Sequence, residues 1–343
     1  MKRAVTSILA AAVLSLTFGV SPILAQTTSP RKVELGAAGH ALVPGAYTKL
    51  SLERQITLLR TLGLRTYRIN VNPSHTNKFA RLSHLLDLAR QSGIRILPVV
   101  ILPPQQYSDE ASAYRDAHRA VAVMARQFKG RIRVWEIGNE YDLYCVKKRT
   151  DGSSTADYDT KRFKVVRGLI QGMLAGLHEG SPASRSIVET TQRDRTVLDT
   201  GFLKRLTNDG VAFDIVGYHF YSNSGRVPMA ANGANALQAL HVELRKPIWI
   251  TEFDKQASSP DIGPNADPAA QAVALTAALD EITAQADRYD VIGADVYELL
   301  DQPEILSQPG VKPAQAQFGI FAADGDYTAA ATAVGTFVRA YYQ

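Results

Sequence analysis

Glu140 and Glu252 each close a short apolar run: Val134-Trp135-Glu136-Ile137-Gly138-Asn139-Glu140, and Pro247-Ile248-Trp249-Ile250-Thr251-Glu252. A carboxylate at the end of a buried strand is costly to desolvate unless it is paired or put to use. Two such ends in one chain make a matched pair of acids. Cleaving a glycosidic bond needs such a pair: one carboxyl protonates the leaving oxygen while the other attacks the sugar or activates water.

Other polar residues fall at similar strand ends. Arg68, in Thr66-Tyr67-Arg68-Ile69-Asn70, is counted among the substrate-binding residues; it could keep a nearby carboxylate ionised or form an ion pair with Glu136 inside the fold. Asn139, next to Glu140, is suited to hold a sugar hydroxyl or to cap the strand end. His219 and Tyr221 are two residues apart and so share one strand face. Tyr221 is expected to donate to Glu252. His219 either faces the sugar or is a core histidine satisfied by backbone. Tyr297 offers a sugar platform, and Glu298 offers an acceptor or a rival third carboxylate. Tyr107, Tyr141 and Tyr144 are further stacking candidates, because Trp135 and Trp249, the only tryptophans, lie inside expected strands.

The elements that must carry these residues alternate regularly. Strands are expected to begin near Val33, Thr66, Ile94, Ile132, Ser186, Asp214, Pro247 and Asp290. Amphipathic segments follow them at 51–62, 79–91, 109–128, 160–178, 197–208, 234–244, 267–286 and 328–342, the first with Ser51 as N-cap. Eight such units predict an α/β protein, a single (β/α)8 TIM barrel, with its site at the C-terminal strand ends. An open doubly wound sheet is disfavoured, since no Gly-x-Gly-x-x-Gly turn follows the first strand. Pro98 is an awkward residue in the third strand, having no N–H for the ladder. Stretches 146–159 and 254–268 read as long strand-to-helix loops. Glu140 then ends the fourth strand and Glu252 the seventh.

Lys2 and Arg3 precede an apolar stretch ending near Val20, and Ile23-Leu24-Ala25 offers a cleavage site. Residues 1–25 are therefore expected to be a signal peptide, leaving 26–343 as the barrel of a secreted or periplasmic protein. The apolar stretch is shorter than the ~20 residues a membrane span requires. The chain has 38 basic and 33 acidic residues, and loss of Lys2 and Arg3 leaves 36 against 33. That excess is too small to argue for nucleic acid. Cys145 is the only cysteine, so an internal disulfide is excluded. We expect no cofactor, no metal, no stable membrane insertion and a monomeric state, with an oligo- or polysaccharide as partner. His-Glu-x-x-His, Gly-x-Ser-x-Gly and Walker motifs are absent.

These motifs resemble the retaining glycoside hydrolases of clan A. Gly138-Asn139-Glu140 is similar to that clan's acid/base motif, and Ile250-Thr251-Glu252 to its nucleophile strand. Tyr297-Glu298-Leu299, with Asp301 and Pro303, is similar to the strand-eight ending of family 39-like proteins, and Phe318-Gly319-Ile320-Phe321 to the end of such catalytic cores. The resemblance implies Glu140 as acid/base, Glu252 as nucleophile and carboxyls about 5 to 5.5 Å apart. Many clan members carry a tryptophan at the end of strand eight, where this chain has Tyr297 or Leu299. The expected activity is endo-acting hydrolysis of an extracellular polysaccharide, a tilt supported by the Lys147-Lys148-Arg149 run. The alternatives are a non-catalytic sugar-binding barrel and a transglycosylase.

Overall fold

The computed structural model describes residues 32–148, 150, 155–191, 200–222, 226–229, 235–254 and 267–343. The expected signal peptide, Arg149 and most of the 254–268 loop lie outside the described residues. Eight parallel strands close into a barrel in chain order. They are β1 (Glu34–Gly39), β2 (Thr66–Val71), β3 (Arg95–Val100), β4 (Val134–Ile137), β5 (Arg185–Thr191), β6 (Ile215–Tyr221), β7 (Ile248–Asp254) and β8 (Val291–Val296). A helix follows each strand: α1 (Leu52–Leu62), α2 (Phe79–Gln91), α3 (Glu110–Gln127), α4 (Thr160–Gly180), α5 (Gly201–Asn208), α6 (Ala236–Leu244), α7 (Pro268–Tyr289) and α8 (Ala329–Tyr342). Among the described residues, no helix is long and apolar enough to cross a membrane.

The helix starts follow from local chemistry. Ser51 accepts the Arg54 N–H at 3.2 Å, and Asp109 accepts that of Ser112 at 2.8 Å. Asp159, Asp267 and Thr328 cap α4, α7 and α8 in the same way. Each cap satisfies a backbone donor that the helix itself cannot use.

Pro98 sits inside β3 without breaking it. Arg95 and Ile101 donate toward β2, so the N–H that Pro98 lacks would have pointed to β4. Pairing with β4 involves only Val99 and Val100, beyond the proline.

Strand side chains alternate between two environments. One set joins the large core between sheet and helices, including Ile248, Ile250, Val216 and Phe220. The other points into the barrel, where Leu97, Ile187, Ile215 and Trp249 form a small apolar cluster of their own. Above that cluster the interior turns polar: Arg68, Glu136, Glu189 and His219 are all buried there.

Glu252 reaches this interior only because β7 is irregular. Ile250 pairs with Tyr218 and Glu252 with His219, so Thr251 is an extra residue relative to β6. The pairing with β8 steps the same way, from Ile250–Ala294 to Phe253–Val296. The bulge at Thr251 reverses the alternation, turning Glu252 inward and Phe253 out to the main core.

Gly293 makes room for the lower interior layer, since a Cβ there would lie 2.3 Å from the Trp249 ring. Gly293→Ala is expected to lower stability by about 1–3 kcal/mol through overpacking. Chemical denaturation of the two proteins measures this, and equal midpoints would show that the ring can yield.

Candidate active site

The upper layer is organised by one buried guanidinium. Arg68 grips Glu136 with two parallel bonds, Nε to Oε2 at 2.6 Å and Nη2 to Oε1 at 2.8 Å. Its Nη1 donates to Glu252 Oε1 at 2.6 Å, and Nη2 also reaches Asn139 Oδ1 at 2.9 Å. Both roles that the sequence left open for Arg68 are thus filled together. At 2 % exposure it holds the site from beneath, which corrects its expected place among sugar contacts.

Tyr221 donates its hydroxyl to Glu252 Oε2, so donors address both carboxylate oxygens. His219 lies beneath the pair, with Nδ1 3.5 Å from Glu140 Oε1 and 3.6 Å from Glu252 Oε2, and Nε2 3.5 Å from Glu136 Oε1. It is fully buried, so it does not face a sugar, and its neighbours are carboxylates instead of backbone. Burial works against a charged ring, but Glu252, Glu189, Glu136 and Glu140 outweigh it and raise the imidazole well above its ordinary range. For Glu252, burial works against ionisation. His219, Arg68 and the Tyr221 hydroxyl outweigh it and hold the carboxyl below the usual glutamate value.

Glu140 is positioned by its own backbone. Gly138 has φ 88°, and a Cβ there would lie 2.7 Å from the Tyr141 ring, so glycine is required. Glu140 follows at φ 52° and ψ 37°, a left-handed conformation uncommon outside glycine. Its N–H donates to Glu189 Oε1, while Thr191 Oγ1 donates to Glu189 Oε2 at 3.2 Å. Its side chain is one-third exposed, at 33 %, while that of Glu252 is 7 % exposed. Carboxylate oxygens of the two residues and a His219 ring nitrogen all lie within 4.8 Å of one another. That trio has metal-ligand residue types.

Burial, together with the nearby Asp142, Glu136 and Glu140 carboxyls, pushes Glu189 up to about 8 despite the opposing pull of His219. The sequence reading missed Glu189. Its signal was a glutamate within the apolar run of β5, Ile187-Val188-Glu189, the same oddity that marked Glu136.

The Tyr297 ring packs edge-on against Tyr221 at 6.0 Å and Phe318 at 5.4 Å. Its hydroxyl lies 3.3 Å from His40 Nε2, and His40 Nδ1 lies 3.3 Å from Asn70 Nδ2. His40, Asn70 and Phe318 therefore join the mouth, none of them named as site residues from sequence. One stacking candidate needs correcting. Tyr141 is buried, with its hydroxyl bound to the Leu102 carbonyl at 2.6 Å, and it is no platform. Tyr107 and Tyr144 are partly buried against the main core.

Glu298 is likewise not placed to accept from a sugar. It is fully buried and takes the Tyr47 hydroxyl on Oε2 and the Gln302 amide on Oε1, each at 2.7 Å. Burial pushes it up to about 8, against the Gln302 and Tyr47 donors and with help from Asp301 and Glu252. The native state therefore keeps a proton that the unfolded chain loses near the ordinary value of 4.5. This contribution to stability is full below that value and is lost as pH rises to about 8. Glu298→Gln, which cannot ionise, should flatten the decline by about 1.4 kcal/mol per pH unit within the window. Urea denaturation between pH 5 and 8 measures it, and an unchanged slope would mean that Glu298 is ionised throughout.

Cys145 is buried, and burial raises its thiol, followed by the nearby Asp142. That leaves it unsuited to act as a nucleophile.

No protein-family model matches the chain, and no curated protein matches it. Solved structures do. A β-glucosidase from Thermotoga maritima in complex with azafagomine superposes with TM-score 0.67 at 13 % identity, over 91 % of this chain and 98 % of that one. GH5_18 from Streptomyces cattleya in complex with GlcNAc gives 0.66 at 16 % identity, over 91 % and 81 %. A thermostable xylanase mutant from Cellvibrio japonicus gives 0.64 at 18 % identity, over 89 % and 97 %. The chain shares the (β/α)8 barrel of these glycoside hydrolases.

Proposed function

We propose that the chain is a retaining β-glycoside hydrolase acting on an extracellular or periplasmic polysaccharide, in endo mode. The observation that carries this reading is the facing pair on β7 and just past β4, with one oxygen of Glu140 and one of Glu252 within 4.8 Å. Retaining enzymes keep their carboxyls about 5–5.5 Å apart, whereas inverting ones need about 6.5–9.5 Å to admit a water. The differing environments support different roles. Glu252, buried and held ionised by Arg68, His219 and Tyr221, is the nucleophile. Glu140, the more exposed of the two, is the acid/base.

In the first step, a Glu252 oxygen bonds to the anomeric carbon as the glycosidic C–O bond breaks, and the Glu140 proton passes to the leaving oxygen. In the second, water attacks that carbon, the ester bond breaks, its electron pair returns to Glu252, and Glu140 takes the water's proton. Asn139 Oδ1 is occupied by Arg68, which leaves its amide N–H groups for the hydroxyl beside the reacting carbon. Tyr297 supplies the ring at the mouth.

The strand-eight motif's likeness to family 39-like proteins supports placement near that family. The signal-peptide reading supports the location, and the basic run beginning at Lys147 supports an anionic, endo-cleaved substrate. The test is a panel of neutral and acidic polysaccharides with early-time product analysis, using Glu252→Gln as control. Internal fragments at early times are expected. A 2-deoxy-2-fluoro glycoside should inactivate the enzyme and label Glu252, as read by peptide mass spectrometry. Equal product release by wild type and Glu252→Gln would falsify the mechanism.

A further inference from the structure

The opposite end of the barrel is built as a site of its own. Below the Leu97, Ile215 and Trp249 layer, the N-terminal strand ends open into a cavity of about 680 Å³. Its floor is apolar: Trp249 and Ile215 lie there with Leu97 and Ile292. Its rim is strongly basic. Lys32, Arg90, Arg95, Arg131, Arg133 and Arg185 line it, against the single carboxylate of Glu34.

Two of these cations are neutralised locally, Arg95 by Glu34 and Arg131 by Asp87 at 2.8 Å. Arg90, Arg133 and Arg185 form no ion pair among the described residues, and all three are exposed. Arg185 pairs in register with Val134, and its N–H donates to the Arg133 carbonyl at 2.8 Å, so the two arginines stand at the starts of neighbouring strands, one residue out of register. Both line the cavity, and an anion held there is attracted to each of these charges.

We propose that this cavity binds a small anionic amphiphile, with its phosphate or carboxylate oxygens on the Arg133–Arg185 rim and its apolar body on the Trp249 floor. Guanidinium groups suit such oxygens because they donate in a fixed, two-pronged geometry. The floor selects for an apolar body. A polyanion lying across the rim would leave it uncovered, and inorganic phosphate would use only the charge. This site is independent of the Glu140–Glu252 pair, which lies at the other end of the barrel.

The chain supplies its own probe. Of its two tryptophans, Trp249 lines the cavity and Trp135 is fully buried in the helix-side core. Dodecyl phosphate, titrated below its micelle concentration, is expected to change tryptophan emission saturably and to raise the Tm. Inorganic phosphate and decanol should each bind at least tenfold more weakly. Arg133→Glu with Arg185→Glu should weaken dodecyl phosphate at least tenfold while leaving the ligand-free Tm and glycosidase activity near wild type. Arg133→Lys with Arg185→Lys should retain most of the binding. Unchanged affinity in the glutamate variant would overturn the proposal. So would binding to anionic lipid vesicles without binding to monomeric dodecyl phosphate, which would identify a membrane-facing charge patch instead.

Discussion

Glu252→Gln is expected to lower kcat by about ten-thousand-fold or more on every substrate, because no other group here can form the ester. Glu140→Gln should behave differently. With a poor leaving group it should lose a comparable factor, since the departing oxygen needs its proton. With an activated aryl glycoside the first step needs no acid, so that step should proceed near the wild-type rate and the intermediate should accumulate. A burst of aryl alcohol followed by slow turnover is the signature. Azide, which needs no general base, should relieve the slow step and give a glycosyl azide of retained configuration. If the two variants lost activity equally on activated and unactivated substrates, the assignment of roles would be wrong.

Arg68→Met should damage stability and activity together, by separable routes. It leaves Glu136 and Glu252 buried without the guanidinium that bonds both, which costs about 3–5 kcal/mol when one partner of a buried pair is deleted. The pH dependence reports the cause. In wild type the depressed Glu252 carboxyl contributes stability that is present above its unfolded value and lost as pH falls through its folded one. Without Arg68 that carboxyl rises, so the gap between variant and wild type should widen as pH rises through and above the ordinary glutamate value of 4.5. The acid limb of kcat/KM, which requires ionised Glu252, should move to higher pH as well. Arg68→Lys keeps a charge but not the fork that spans Glu136, Glu252 and Asn139, so it should recover stability better than activity. An unmoved acid limb in Arg68→Met would show that His219 and Tyr221 alone set the ionisation of Glu252.

The barrel was legible because its signals are local. Apolar β-branched runs, helical spacing and the Ser51 cap each report within a few residues, and all eight strands lie where those runs begin. The strand ends carrying Glu140, Glu252 and Tyr221 were legible for the same reason, whereas Arg68, expected at the end of β2, lies in its middle. The depth of each residue was not. Arg68, His219 and Glu298 read as mouth residues because a strand-end position does not say whether a side chain points up into the cleft or across into the barrel. Glu189 is marked locally only as a glutamate in an apolar run; its partner, a backbone N–H distant in sequence, is what no local pattern reports.

The chain's order of residues determined which acids exist and on which strands they end. Where those acids point was decided only on closing the barrel. By simple alternation Glu252 would share the face of Ile250 and lie against the helices; the register of β7 against β6 and β8 inserts Thr251 and turns it toward Arg68. Glu140 likewise depends on a left-handed backbone held by Glu189, a contact that exists only once β4 and β5 are side by side. Residue type and spacing are properties of the chain, but register and burial are properties of neighbouring strands. The pairing of strands brought the two carboxylates within reach of one substrate.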